Sequence, residues 1–201
     1  MKTVLKAFLT LVVVGAAVAL LTFAWIGSRG ISARAEPGVV ETAVARTMRH
    51  LAIPRGDRNR PNPVPATEDV LVAGRAHYAD HCASCHANDG SGDTSLGQGL
   101  YPKPPDMRAA ATQSLTDGEL FYIIENGVRL TGMPAWSTGT KEGEEASWHL
   151  VHFIRHLPEI TQAEIELMQE MNPRPPAEIR QEIEAQRFLQ GGDPPQPAHA
   201  H

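Results

Sequence analysis

The chain holds two cysteines in 201 residues, three apart and followed at once by a histidine: His81-Cys82-Ala83-Ser84-Cys85-His86. Four chemistries use thiols this close together. A zinc site needs four protein ligands, or three and a water, so a single C-x-x-C would have to recruit two histidines. A thioredoxin-like site wants its C-x-x-C beside a βαβ pattern, and no strand-rich region stands out. A disulfide across two residues closes a very small loop and contributes little. The fourth chemistry is covalent haem attachment at C-x-x-C-H. Three-residue spacing at a helix end turns both sulfurs to one side, where they can form thioethers to the two vinyl groups of one haem c. The His86 imidazole then reaches the iron. Both thiols are consumed, which accounts for the lack of others.

A haem iron held by one histidine needs a sixth ligand, and methionine in that place raises the potential. Met133, in Arg129-Leu130-Thr131-Gly132-Met133-Pro134-Ala135-Trp136, is the expected ligand. It sits on a downstream loop between helices, with Gly132 allowing close backbone approach and Pro134 fixing the next turn. Met107 lies in the loop nearer His86, Met48 lies far upstream, and Met168 and Met171 suit helix packing better.

Several elements must position these groups. Thr67 followed by Glu68 and Asp69 is a helix start, an N-cap and then acids against the dipole. Val70, Gly74, Tyr78 and Cys82 recur every four residues on one face running into the cysteines. Residues 87–113, rich in glycine and proline, read as loop, and Asn88-Asp89-Gly90-Ser91-Gly92-Asp93 lacks the glutamate of a calcium loop. Thr116 and Glu119 predict a capping box, with Leu115 and Leu120 as its staple and Asn126-Gly127 as the helix end. A further helix is expected over Glu144 to Leu157, with Leu150, Phe153, Ile154 and Leu157 as its apolar stripe.

Residues 67–157 resemble a class I, mono-haem c-type cytochrome domain. Gly74, Tyr78, Cys82, Cys85 and His86 match its first helix and haem motif. Tyr101-Pro102-Lys103-Pro104-Pro105-Asp106-Met107 is similar to its proximal proline loop, Gly132 to Trp136 to its axial-methionine loop, and Trp148 to Leu157 to its last helix. The resemblance implies an all-α fold of helices around one covalent haem, its first and last helices crossing where Gly74 lets them approach, with Tyr78, Trp148 and Phe153 nearby. It also implies that a carbonyl from Pro104 or its neighbour accepts the Nδ1 hydrogen of His86 and sets its tautomer. The expected cytochrome domain spans residues 67–158.

The flanks lie outside the resemblance. Residues 1–28 read as a transmembrane anchor, since the twenty residues from Ala7 to Ile26 carry no charge and would form a helix about 30 Å long. A signal peptide cleaved after Ala35 is the rival, but the apolar run exceeds an ordinary h-region. Lys2 and Lys6 precede the run while Arg29, Arg34, Arg46 and Arg49 follow it, so charge gives no orientation. Attachment of haem c takes place outside the bacterial cytoplasm, which implies a single-pass inner-membrane protein with its haem domain in the periplasm. Residues 29–66, rich in arginine and proline, read as a partly extended tether. Residues 159–201 read as an acidic, exposed helical hairpin, capped at Thr161 and Glu164, with a further helix from about Pro176 to Leu189 and a disordered end. His77 and His81, and His149, His152 and His156, read as surface or haem-edge residues rather than metal ligands, as do His199 and His201 at the tail.

The net charge of −5 argues against general nucleic-acid binding. The leading function is one-electron transfer, without catalysis, between redox partners in or at the membrane, either alone or as a subunit of a dehydrogenase, oxidase or reductase. With both axial positions filled, no small-molecule substrate meets the iron. The alternatives are a haem enzyme or gas sensor with an open sixth position, peroxidase-like in chemistry, and a haem-free periplasmic thiol oxidoreductase.

Overall fold

The computed structural model describes residues 2–30 and 32–191, and among these there is no strand. The chain divides into two compact units, residues 1–36 and 37–201. The first is dominated by helix α1, Lys2–Arg29. Its stretch Lys2–Ser28 contains an 18-residue window with a mean hydropathy of 2.5 and is long and apolar enough to cross a membrane. The Thr10 and Thr22 hydroxyls donate to the carbonyls of Lys6 and Val18, so these side chains leave no free donor on the apolar surface.

The second unit is built on the contact between α4, Glu68–His77, and α8, Lys141–His156. Thr67 caps α4 by accepting from the Val70 amide. Gly74 is buried against the His149 carbonyl, and a Cβ there would stand 3.1 Å from Cβ of Phe153. Only a hydrogen at this position lets two helix backbones come so close. Tyr78 packs on Phe153 with ring centroids 5.1 Å apart. Trp148 instead stacks on Phe121, at 4.0 Å. Phe121 belongs to α7, Asp117–Asn126, whose Thr116–Glu119 capping box forms as expected and whose end at Gly127 takes a positive φ of 65°. Tyr78, Trp148, Leu150, Val151, Phe153, Leu157 and Met168 are the fully buried centre, each large side chain contributing about 1.5–3 kcal/mol by leaving water.

Three expectations need correction. Helix α8 begins at Lys141, three residues early, because Thr140 rather than a later residue supplies the cap, accepting from the Gly143 amide. The segment expected as an extended tether contains α2, Val39–Ala52, and a short turn of helix α3, Arg55–Arg58. Its prolines frame α2 rather than interrupt it: Pro37 precedes the helix and Pro54 follows it. The residues after it are docked, since Ile53 is buried, Asn62 donates to the Trp148 carbonyl and the His152 ring meets the Val64 carbonyl.

The tail is likewise not simply an exposed hairpin. Helix α9, Gln162–Met171, has the expected Thr161–Glu164 capping box and buries Met168 completely. Helix α10 spans Pro176–Leu189 as expected. The expected disordered end, with His199 and His201, lies outside the described residues.

Candidate haem site

Helix α4 does not simply stop before the cysteines. It runs into a π-helical turn, Tyr78–Cys82, and then α5, Ala83–His86. The π turn re-phases the chain, as π-bulges at functional sites do, and a period-four count along the sequence does not reveal it. Cys82 and Cys85 are free thiols, each partly buried, on this continuous run. Burial first, and the neighbouring Cys85 second, push the Cys82 thiol up to about 12. Burial also raises the Cys85 thiol. A C-x-x-C redox pair needs the opposite, a thiol lowered toward neutrality so that thiolate is available to attack.

His86 is 8% exposed, and burial drives its pKa down to about 4, against an opposing pull from the Pro105 carbonyl. The ring is therefore neutral at pH 7, the form that offers a nitrogen lone pair to a metal. Its Nδ1 is buried without a hydrogen-bond partner. The Pro105 carbonyl acts on the ring but stands outside good hydrogen-bond geometry. The expected Pro104 carbonyl is turned elsewhere, against Gly92, where a Cβ would come within 2.6 Å of it. The Pro104 carbonyl thus lies against Gly92, and of the two adjacent carbonyls it is that of Pro105 that acts on the His86 ring.

The chain after the motif folds back over it. Ala87 reverses direction with φ 61°, and the Gly92 amide donates to the His86 carbonyl at 2.8 Å. The Thr94 hydroxyl meets the Ser84 carbonyl at 2.9 Å, covering an open end of α5. The Met107 amide donates to the Gly90 carbonyl, and the Met107 sulfur accepts from the Tyr78 hydroxyl at 3.6 Å. Met107 is thereby a core residue with its sulfur engaged, and Met168 is fully enclosed.

Met133 is half-buried on the loop between α7 and α8. Its carbonyl accepts from the Val128 amide at 3.1 Å and its amide donates to the Thr131 hydroxyl at 3.1 Å. The Trp136 and Ser137 amides donate to the Ile124 and Glu125 carbonyls, so the loop is pinned beyond the methionine as well. Two contacts bring it to the cysteine side. The Trp136 ring meets the His81 ring edge-on at 5.3 Å, one residue before Cys82, and Leu100 packs on Gly132. Sequence reasoning passed over Trp136, which makes this contact, although it stands inside the quoted methionine motif.

His77 also contacts His81, with centroids 4.9 Å apart. No group of three or more His, Cys, Asp or Glu among the described residues is arranged to hold a metal ion.

With this geometry in view, residues 70–154 match the family model described as cytochrome c oxidase, cbb3-type, subunit III. They form a c-type cytochrome domain. The match covers less than half of the chain. No curated protein matches the sequence. Among solved structures, a chain of the Kuenenia stuttgartiensis reducing HAO-like protein complex is similar at 22% identity and a TM-score of 0.41. That similarity covers 47% of this chain and 46% of the other, so the protein spans under half the length of its structural neighbour. A c-type cytochrome domain implies haem c, iron and electron transfer. The residues present suit that group: two thiols in no disulfide, a neutral buried histidine beside them, and a pinned methionine loop.

Proposed function

We propose that this protein is a membrane-anchored one-electron carrier holding one haem c. Cys82 and Cys85 would hold it through thioethers, His86 and Met133 would ligate its iron, and the Pro105 carbonyl would help to orient the His86 ring. When bound, the haem supplies an iron that alternates between the ferric and ferrous states. The chain's own contribution is to keep His86 neutral and buried, to keep water away from it, and to hold Met133 on a short, hydrogen-bonded loop. Residues 1–28 stay attached as a single span of the bacterial inner membrane, with residues 67–158 in the periplasm. The donor and acceptor are redox proteins in or at that membrane.

The observation that carries this reading is the state of the methionine sulfurs. Met107 is engaged by Tyr78 and Met168 is enclosed by the core, whereas Met133 is half-buried on a loop drawn to His81 by Trp136. Thioether is a soft, neutral ligand suited to ferrous iron and a raised potential.

Met133→Ala tests it. The ferric protein should become high-spin or bind water, lose its weak far-red sulfur-to-iron absorption and take up carbon monoxide when reduced. Haem should remain covalently attached on denaturing electrophoresis. Met107→Leu should keep the far-red band. Wild-type protein that lacks this band and binds carbon monoxide readily would instead have an open site and belong with the haem enzymes.

A further inference from the structure

Helix α2 is amphipathic in an unusual sense: its polar side faces the domain. At 100° per residue, Thr42 and Arg49 fall on one side, both partly withdrawn from solvent, and Ile53, the cap residue just beyond the helix, is buried. The polar contacts lie at the two margins of the helix: the Tyr101 hydroxyl donates to Glu41, at the edge beside Met48, at 2.5 Å, and the His50 ring meets the Glu119 carboxylate at 3.1 Å. The opposite side carries Val40, Val44, Met48 and Leu51 in one stripe, exposed to 77%, 57%, 60% and 68%. A soluble helix normally turns such a stripe inward, and a contiguous apolar stripe left in water marks an interaction surface.

We infer that this stripe lies on the surface of the lipid bilayer, making α2 a second, interfacial membrane contact. The inference rests on reading α1 as a retained span. Two further observations select lipid as the occupant. Only residues 30–38 separate α1 from α2, a length that reaches about 30 Å even when fully extended. Residues 29–60 also contain seven arginines and three acids in a chain whose net charge is −5, and Arg46 and Arg55 are exposed. A basic, amphipathic segment next to a span suits an anionic headgroup layer. Through Glu41 and Tyr101, and through Leu100 on Gly132, α2 connects to the loop that bears Met133. A helix lying on the membrane would therefore hold the domain in one orientation rather than leave it to swing on a tether.

The experiment uses full-length, haem-loaded protein in nanodiscs of phosphatidylcholine and phosphatidylglycerol containing a lipid with a diazirine on its acyl chain. After illumination, labelled peptides are mapped by mass spectrometry. Label should appear in α1 and in residues 39–52, and not in α9. A variant carrying Val40→Ser, Val44→Ser, Met48→Ser and Leu51→Ser should lose at least tenfold of the label in residues 39–52, yet keep that in α1 and its haem spectrum. Labelled α1 with residues 39–52 no higher than α9 overturns the inference while leaving the anchor intact. So does undiminished label in the variant, or crosslinking of Met48 between two copies in one disc, which would make the stripe a dimer surface. Absence of label from α1 as well removes the span itself, and the inference falls with it.

Discussion

Two segments outside the family-matched core dock onto it by different physics. The N-terminal flank, residues 53–66 with α2, is held mostly by polar contacts. Glu119, nearly buried, faces His50 and Arg58, and the Arg60 guanidinium lies 4.9 Å and 5.2 Å above Phe121 and Trp148 while pairing with Glu144. The C-terminal flank is held mostly by apolar burial. Leu157 and Met168 are completely enclosed, with Glu164 between Arg75 and His156 as the polar supplement. Charged contacts depend on salt and pH, whereas apolar burial depends on neither to first order. The flank next to the membrane-competent helix is thus the adjustable one, and the far flank is part of the core.

The largest expected effect is from Met168→Ala, which empties an enclosed site and should cost about 2–5 kcal/mol in chemical unfolding. A cost below about 1 kcal/mol would put α9 on the same footing as α2. Glu119→Gln comes next. It strips a buried carboxylate from Arg58 and His50, and with Arg58 partly and His50 largely solvated the loss should be about 2 kcal/mol. Hydrogen exchange should quicken across residues 50–60 and stay unchanged in α9. Arg60→Ala should cost about 1 kcal/mol through its lost cation–π contacts. Because the partly exposed Glu144 pair adds little, moderate salt should hardly change that figure.

The smallest effect concerns pH. Burial pushes the Glu164 carboxyl up, but hydrogen bonds from the Thr161 amide and hydroxyl, and the His156 ring, outweigh it and leave the pKa below its ordinary 4.5. A lowered carboxyl pKa contributes stability above 4.5 that is lost as pH falls through the folded value. Wild type should therefore lose stability below pH 4.5 relative to Glu164→Gln, by less than about 1 kcal/mol. Parallel pH curves for the two proteins would mean that the Glu164 charge adds nothing that a neutral amide in the same cap does not.

The two flanks were also unequally legible. Thr161 and Glu164 announce α9 because a capping box is a local, four-residue signal, Thr116 and Glu119 announce α7 in the same way, and Thr67 followed by two acids announces α4 as a plain N-cap. In the other flank, prolines on both sides of α2 masked a regular stripe of Val40, Val44, Met48 and Leu51, and composition alone suggested an extended chain. Whether an apolar stripe faces a core or solvent depends on what lies across from it, and no local window contains that.

At the candidate site the division is similar. Residue types and spacing alone put forward Cys82, Cys85 and His86 as the haem-attachment candidates, because that motif is confined to five consecutive positions. They also singled out Met133 among six methionines, through its glycine, its proline and its place between helices. Only the tertiary structure places the Pro104 carbonyl against Gly92 and leaves the Pro105 carbonyl to act on the His86 ring, since the two prolines are adjacent in sequence. It alone revealed the π turn that re-phases Cys82, and the Trp136–His81 contact that brings the methionine loop to the cysteine helix. Those two residues lie 55 positions apart, and contacts of that span arise from the packing of α4 against α8, not from the preferences of either segment.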